Sequence, residues 1–408
     1  MTNNGKEETI VVEDLGVLLK QTLDEQSIVK DYQTKTFLTL GDNFAGSIFK
    51  IIVTILKTED YSSENLYLIG KKIDPSITFF DWDILFKKEV FMYTDIIPLY
   101  ESIENMILSN STSTIAQCIP KMYGSRISLD PKAEKVDADA IILLEDLKVQ
   151  GCYLLDKKIG LDMKHAIVAI RTLARFHALG IVAKNKHPEE FENIKLQSLK
   201  SGYFGYLAVE PVMLEPIKNS PRFSKYSDRI QELVEKITVS NDRFDLMRQE
   251  PWITIIHHDY WTNNLMFHAN ETGEIDGFKF IDFQGYNYAN IFVDLPYFLC
   301  CSLDEDTMLN HIDELLDIYY ESFIDNLRRN FIDTNQFSRD EFDDRLRKDA
   351  QIEFLRCNMA LSFFTIEITG DMNAEDVRDK IVNCKSDLYF RKLDNLFKVY
   401  LKKGWFYD

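Results

Sequence analysis

The sequence predicts an α+β protein of two lobes, a mixed β-sheet lobe followed by a mainly helical one. Three observations predict it. Runs rich in β-branched residues cluster before residue 150, and helical patterns dominate beyond about residue 185. At 408 residues the chain exceeds one ordinary domain and is short for three. The expected division is residues 1–145 and 146–408, at the end of an apolar run.

Taken in order, apolar spacing from Val17 to Ser27 predicts an amphipathic helix. After the turn residues Gly41, Asp42 and Asn43, FKIIVTIL (49–56) reads as a strand. LYLIGKKI (66–73) reads as its hairpin partner across a polar connection. WDILFKKEVFMYTDII then sets Leu85, Lys88/Glu89, Met92 and Ile96 at helical spacing. AIILLEDL (140–147) is a short apolar strand ending in acid. In GLDMKHAIVAIRTLARFHALG, Asp162 is a capping residue, an apolar stripe follows, and Gly180 is expected to end the helix. Helical patterns then continue, interrupted by the segment 251–295.

The composition bounds the function. Hydrophobic residues make up 45% and charged residues 28%, which suffices for a sizeable core. The net charge of −19 argues against a surface for nucleic acid or an anionic membrane. It leaves room for a nucleotide, which needs only local donors and a metal ion. The six cysteines show no Cys-x-x-Cys spacing and read as reduced thiols. The N-terminal MTNNGKEETIVVEDL lacks a signal-peptide core, and no run approaches the roughly 20 apolar residues of a spanning helix. The nearest, around 288–301, is broken by Asp294 and Pro296. A cytoplasmic location is the expectation.

Most of the chemistry lies in ITIIHHDYWTNNLMF and GFKFIDFQ. The apolar run Ile253–Ile256 delivers His257, His258 and Asp259, with Asn264 five residues after Asp259. A second run, Phe278–Ile281, delivers Asp282. The expectation is a β-hairpin whose ends present two carboxylates and a carboxamide to one cavity. Phosphoryl transfer needs that set: a carboxylate to accept a hydroxyl proton, and hard oxygen ligands for Mg²⁺. The order H-x-D-x-x-x-x-N followed by a hydrophobic residue and Asp matches kinase catalytic and metal-binding loops. Asp259 is the candidate base; Asn264 and Asp282 are candidate metal ligands. His257 reads as a brace for the loop.

Upstream, Lys71 on a strand and Glu89 on the next helix form a candidate pair for the α- and β-phosphates of ATP. Lys72, Lys87 and Lys88 are alternatives nearby. GDNFAGSIFK precedes a strand where a phosphate-covering loop belongs, with backbone N–H groups near Ala45, Gly46 and Ser47 as donors. LLEDL (143–147) is a candidate hinge, with backbone groups of Glu145 and Leu147 facing adenine.

With these blocks assembled, the sequence resembles the ecdysteroid kinase-like (CHK kinase-like) family, related to choline and aminoglycoside kinases. GDNFAGSIFK, LYLIGKK, LFKKEVFMY, ILLEDL, GLDMKHAIVAIRTLARFHA, HHDYWTNNLMF and FIDFQGYNYANIFVDLPYFL follow that family's order from about 41 to 299. The resemblance implies a protein-kinase-like fold and an ATP- and Mg²⁺-dependent phosphotransferase acting on a small-molecule alcohol. Hydroxylated steroids such as ecdysteroids are the implied acceptors; a choline- or aminoglycoside-like acceptor, or a kinase-like protein that binds without transfer, are the alternatives. It assigns Asp259, Asn264, Asp282, Lys71 and Glu89 the roles given above, and makes Asp294 a brace for the catalytic loop. His177 also matches, and its place in an amphipathic helix reads as packing. Two departures stand out: His258 replaces a glycine, and Gly70 replaces an apolar residue before the lysine. Aromatic stretches at 203–214 and 357–371 are candidates for an apolar pocket wall.

Overall fold

The early β-branched runs pair, in a computed structural model, into one antiparallel sheet. Described are residues 10–36, 47–73, 81–107, 113–201, 214–239, 247–366, 380 and 386–406. The sheet joins β1 (Ser27–Thr36), β2 (Ser47–Lys57), β3 (Ser63–Lys72), β4 (Met122–Arg126) and β5 (Ile141–Glu145) in the order β1-β2-β3-β5-β4. Along β2 the pleat sends Phe49, Ile51, Val53 and Ile55 inward, where they meet Leu68, Ile141 and Leu143. Gly70 is the small partner in that layer: a Cβ there would run into the Phe49 ring, which fills the space a larger residue would take.

The helix expected over Val17–Ser27 is not found. α1 spans only Leu15–Leu19, and Ser27 already begins β1. Tertiary hydrogen bonds outcompete the helical pattern. Thr22 Oγ1 donates to the Tyr123 carbonyl at 2.8 Å, and Gln21 exchanges hydrogen bonds with the backbone of Ser125 at 3.1 Å.

α2 (Trp82–Phe91) starts where the Asp81 carboxylate accepts from the Ile84 N–H, a standard N-cap. It widens into a π-type turn over Met92–Ile96 and continues as α3 (Ile97–Asn105). The helical remainder includes α4 (Met163–Lys186), α5 (Pro188–Ser198), α6 (Ser227–Val239), α7 (Asp294–Cys301), α8 (Glu305–Asn310), α9 (Ile312–Arg329), α10 (Arg339–Thr365) and α11 (Asp387–Lys402). An antiparallel sheet early and helices late give the α+β, kinase-like fold.

Asp162 caps α4 through the His165 N–H, but Gly180 does not end the helix, which runs on to Lys186. Gly180 serves packing instead. A Cβ there would collide with Thr254 Oγ1 and Tyr100 Oη, so the missing side chain lets α4 approach the central strands closely. Contrary to the reading of apolar runs, α4 is long and apolar enough to cross a membrane, with a mean hydropathy of 1.6 over its best window. That window is 72% buried within the protein, as a core helix would be.

The segment 251–295 folds differently from the expected hairpin. β6 (Ile253–Ile256) pairs with β9 (Asn287–Asn290), whereas β7 (Leu265–Ala269) pairs with β8 (Ile275–Phe280). LMFHA is the strand partner of IDGFKF, and ITII lies on the other ladder. The loops carrying Asp259 and Asp282 therefore join two small sheets rather than capping one hairpin. Cys118, Cys152, Cys300, Cys301 and Cys357 are all unpaired; Cys384 lies outside the described residues.

Candidate active site

β6 is buried along its whole length and fixes the chain entering His257-His258-Asp259. The loop is held from below by Asp294, the first residue of α7, which is fully buried. Its two carboxylate oxygens accept from the His257 and His258 N–H groups, both at 2.8 Å. His177 of α4 reaches the same carboxylate through Nε2 at 3.2 Å and Tyr319 Oη through Nδ1 at 2.7 Å. His177 is thus a link in the brace as well as a packed residue. Although burial opposes its charge, the hydrogen bond from His177 and the nearby Arg356 guanidinium hold the Asp294 carboxyl below the usual range.

His257 is itself a strut. Its Nε2–H donates to the Ile281 carbonyl at 3.0 Å, and its Nδ1 accepts from the Asp259 N–H at 3.2 Å. Burial lowers its pKa, which keeps the ring neutral and able to play both parts. The loop carrying Asp259 and the loop carrying Asp282 are tied through one imidazole. His258 sits at φ 69°, a left-handed conformation that explains why glycine suits the position.

Asp259 faces the cleft with Oδ1 accepting from Tyr297 Oη at 3.1 Å, and Oδ2 from Asn264 Nδ2 at 2.9 Å and Trp261 Nε1 at 3.3 Å. Burial and the nearby Asp282 charge raise its pKa to about 6, against the pull of these donors and of Arg356. Asn264 also donates to the Asp259 carbonyl at 2.8 Å. Both its N–H bonds are spent on Asp259, so its amide oxygen remains as an acceptor.

Across the cleft, Lys71 Nζ lies 2.6 Å from Glu89 Oε2 and 2.9 Å from Asp282 Oδ1. Burial works against the ammonium, but the two carboxylates outweigh it and hold its pKa above that of an ordinary lysine. Lys72 is the neighbour on the opposite face of β3, and Lys87 pairs with Asp83 at 2.8 Å. Asp282, at φ 67°, keeps Oδ2 lightly engaged, 3.5 Å from Gln284 Nε2.

Of the phosphate-loop candidates, Ala45 and Gly46 lie outside the described residues. Ser47 begins β2 opposite Lys72, and its neighbour Ile48 lies opposite Lys71, so this backbone borders the Lys71 position. At the hinge, the Glu145 N–H is taken by the Lys121 carbonyl at 2.9 Å, and its carboxylate pairs with Lys279 at 2.7 Å. The Leu147 carbonyl accepts from the N–H groups of Gln150 and Cys152. Outside the strand ladders, no backbone hydrogen bond among the described residues takes the Glu145 carbonyl or the Leu147 N–H.

The candidate pocket wall at 357–371 includes Phe364, with 367–371 outside the described residues, but sequence reasoning missed Arg356, Tyr297 and Trp261 behind Asp259. Arg356, buried on α10, donates to the carbonyls of His258 and Val293, pairs with Glu353 at 2.5 Å, and stacks 3.9 Å over the Tyr297 ring. Trp261 stacks on Phe364 with ring centroids 4.0 Å apart. The one available signal was an arginine embedded in the apolar run FLRCNMALSFF. Residues 203–213 of the proposed pocket wall lie outside the described residues.

Among the described residues no cluster of three or more His, Cys, Asp or Glu side chains forms a metal cage. Mg²⁺ does not need one: it retains waters and is commonly held by one or two protein oxygens with substrate phosphates. The freed amide oxygen of Asn264 and the lightly engaged Oδ2 of Asp282 fit that requirement. Chemically, the arrangement brings together a carboxylate that could accept a proton, two oxygen atoms that could hold a hard cation, and a charged lysine.

A search of curated proteins finds no match to the chain. Residues 40–330 match the model of the ecdysteroid kinase-like family. That span covers well over half of the chain and includes β3, α2, both loops and Asp294. The chain belongs to the ecdysteroid kinase-like family.

Proposed function

We propose that this protein transfers the γ-phosphoryl group of ATP, with Mg²⁺, to a hydroxyl of an apolar small molecule such as an ecdysteroid-like steroid. The observation that carries the reading is the cluster in which Lys71 pairs with both Glu89 and Asp282, beside Asp259 with Asn264 hydrogen-bonded to it. In this reading residues 1–145 hold the nucleotide, and residues 146–408 carry the catalytic loop and the acceptor pocket. A cytoplasmic, reducing environment belongs to the same reading, with which the five cysteines among the described residues, all free thiols, agree.

Lys71 steadies the α- and β-phosphates, and Glu89 fixes its ammonium. Asn264 and Asp282 are the ligands for Mg²⁺, which when bound neutralises charge on the phosphates. Asp259 orients the acceptor hydroxyl and takes its proton as the oxygen attacks the γ-phosphorus; the bond to the bridging oxygen breaks and ADP leaves. Trp261, hydrogen-bonded to the base and stacked on Phe364, supplies an aromatic wall beside the acceptor. Such a wall takes an apolar ring face and, through cation–π contact, a quaternary ammonium alike, so the steroid-like acceptor follows from the family resemblance and the panel below decides it.

The test is a panel of acceptors containing an ecdysteroid, choline and an aminoglycoside, each incubated with MgATP and read by mass spectrometry. Gain of one phosphate on the ecdysteroid or a similar apolar alcohol is expected. Transfer to choline alone overturns the acceptor class. MgATP binding without transfer to any alcohol leaves the binding-protein reading in its place.

A further inference from the structure

Lys88 precedes Glu89 on α2 and is 4% exposed. Its Nζ donates to the carbonyls of Lys200 at 2.9 Å and Ser198 at 3.1 Å, at the end of α5. It also lies 4.8 Å from the centre of the Tyr286 ring, four residues beyond Asp282. Among the described residues no carboxylate pairs with it. An ammonium removed from water without an anion is costly. Burial, with the Lys200 charge nearby, brings its pKa down to about 7. A methionine would fill similar space without that cost, so stability alone does not account for a lysine here.

The side chain joins three parts of the molecule: the helix that carries Glu89, the chain that leaves Asp282, and the end of α5. One turn further along, Tyr93 meets Phe283 edge to face at 5.7 Å, a second and uncharged contact between the same helix and the same loop. Glu89 can hold Lys71 only while α2 stays seated on this surface. Its Oε1 has no hydrogen-bond partner among the described residues, so its own contacts do little to seat the helix.

We propose that Lys88 is a positioning residue for the nucleotide site: it pins α2 to the C-terminal lobe so that the Lys71–Glu89 pair is assembled before nucleotide arrives. The proposal rests on the kinase reading above. Without the pin, α2 divides its time between seated and unseated arrangements, and apparent affinity falls by the seated fraction. The nucleotide-bound state, once formed, is unchanged.

The experiment measures the Kd of MgATP for the full chain by isothermal titration calorimetry, with hydrogen exchange across residues 82–91. Lys88→Met should bind MgATP about tenfold more weakly, as a helix seated about a tenth of the time requires, and should exchange faster over α2. Lys88→Arg keeps the charge and the donors and should recover most of the affinity. A merely structural lysine would lower the melting temperature and leave Kd alone; that result overturns the proposal. So does Lys88→Arg binding no better than Lys88→Met. Should the Met variant not fold, Lys88→Gln is judged by the same Kd and exchange criteria. A wild-type protein with no affinity for MgATP removes the kinase reading itself, whereas affinity retained in the Lys88 variants removes only this proposal.

Discussion

In the proposed function Asp259 acts as a base, yet its surroundings favour the proton. Its folded pKa of about 6 lies above its ordinary value of 3.8. Between about pH 4 and 6 the folded protein therefore holds a proton that the unfolded chain releases, and stability falls as pH rises through that window. Above it, the charged carboxylate costs about 3 kcal/mol, at 1.36 kcal/mol per pKa unit. Without nucleotide, Asp259→Asn should therefore be more stable than wild type at pH 7.5, by up to about that amount, and equal to it below pH 4. Chemical denaturation at the two pH values checks this. In the kinase reading the same variant should lose about 10²–10⁴-fold in kcat while still binding MgATP. The wild-type kcat/KM should fall on the acid side with a midpoint near pH 6, where the base takes up its proton. A variant that transfers phosphate at the wild-type rate would remove Asp259 from the chemistry.

The loop around Asp259 is only as rigid as the elements beneath it. Asp294, at the start of α7, holds two consecutive backbone N–H groups and the His177 ring of α4, so one carboxylate joins α4, α7 and the chain leaving β6. Asp294→Asn keeps the size but offers one acceptor oxygen where three donors converge. Hydrogen bonds to charged groups contribute about 1.5–3 kcal/mol each, so a loss of about 2–3 kcal/mol is expected in urea denaturation. Loop displacement of even 1 Å can cost about 10²-fold in rate; kcat should fall to that extent with little change in the Kd of MgATP. Equal losses in both quantities would mean that the brace serves the nucleotide site rather than the base.

At the scale of the whole molecule, the site depends on a helix beyond the family match. The matched span ends at residue 330, but Arg356 and Phe364 come from α10 and reach the His258 carbonyl and Trp261. Arg356 and Glu353 form a buried pair, the latter fully enclosed. Removing one member of such a pair strands the other: Arg356→Met should cost about 3–5 kcal/mol. Glu353→Met/Arg356→Met together should recover much of that stability without recovering activity, because the His258 carbonyl loses its donor. A double variant as active as wild type would show that α10 contributes packing alone.

Local sequence determined the parts with strong short-range signals. β2 and β3 follow from β-branched alternation, α2 and the start of α4 from apolar spacing and the capping residues Asp81 and Asp162. Asp259, Asn264 and Asp282 stand out as candidates because their order and spacing, between apolar runs, carry a chemical requirement, and the structure sets Asn264 against Asp259. Tertiary structure decided the rest. α1 stops at Leu19 because Gln21 and Thr22 find partners on β4, and α4 passes Gly180 because a close approach to β6 needs the missing Cβ. ITII pairs with NYAN rather than with GFKF because strand pairing depends on which ladder a strand reaches, which alternation does not encode. Arg356, about a hundred residues from the loop it holds, shows the same limit. Its role comes from where α10 packs, and packing is a property of the assembled core rather than of any one segment.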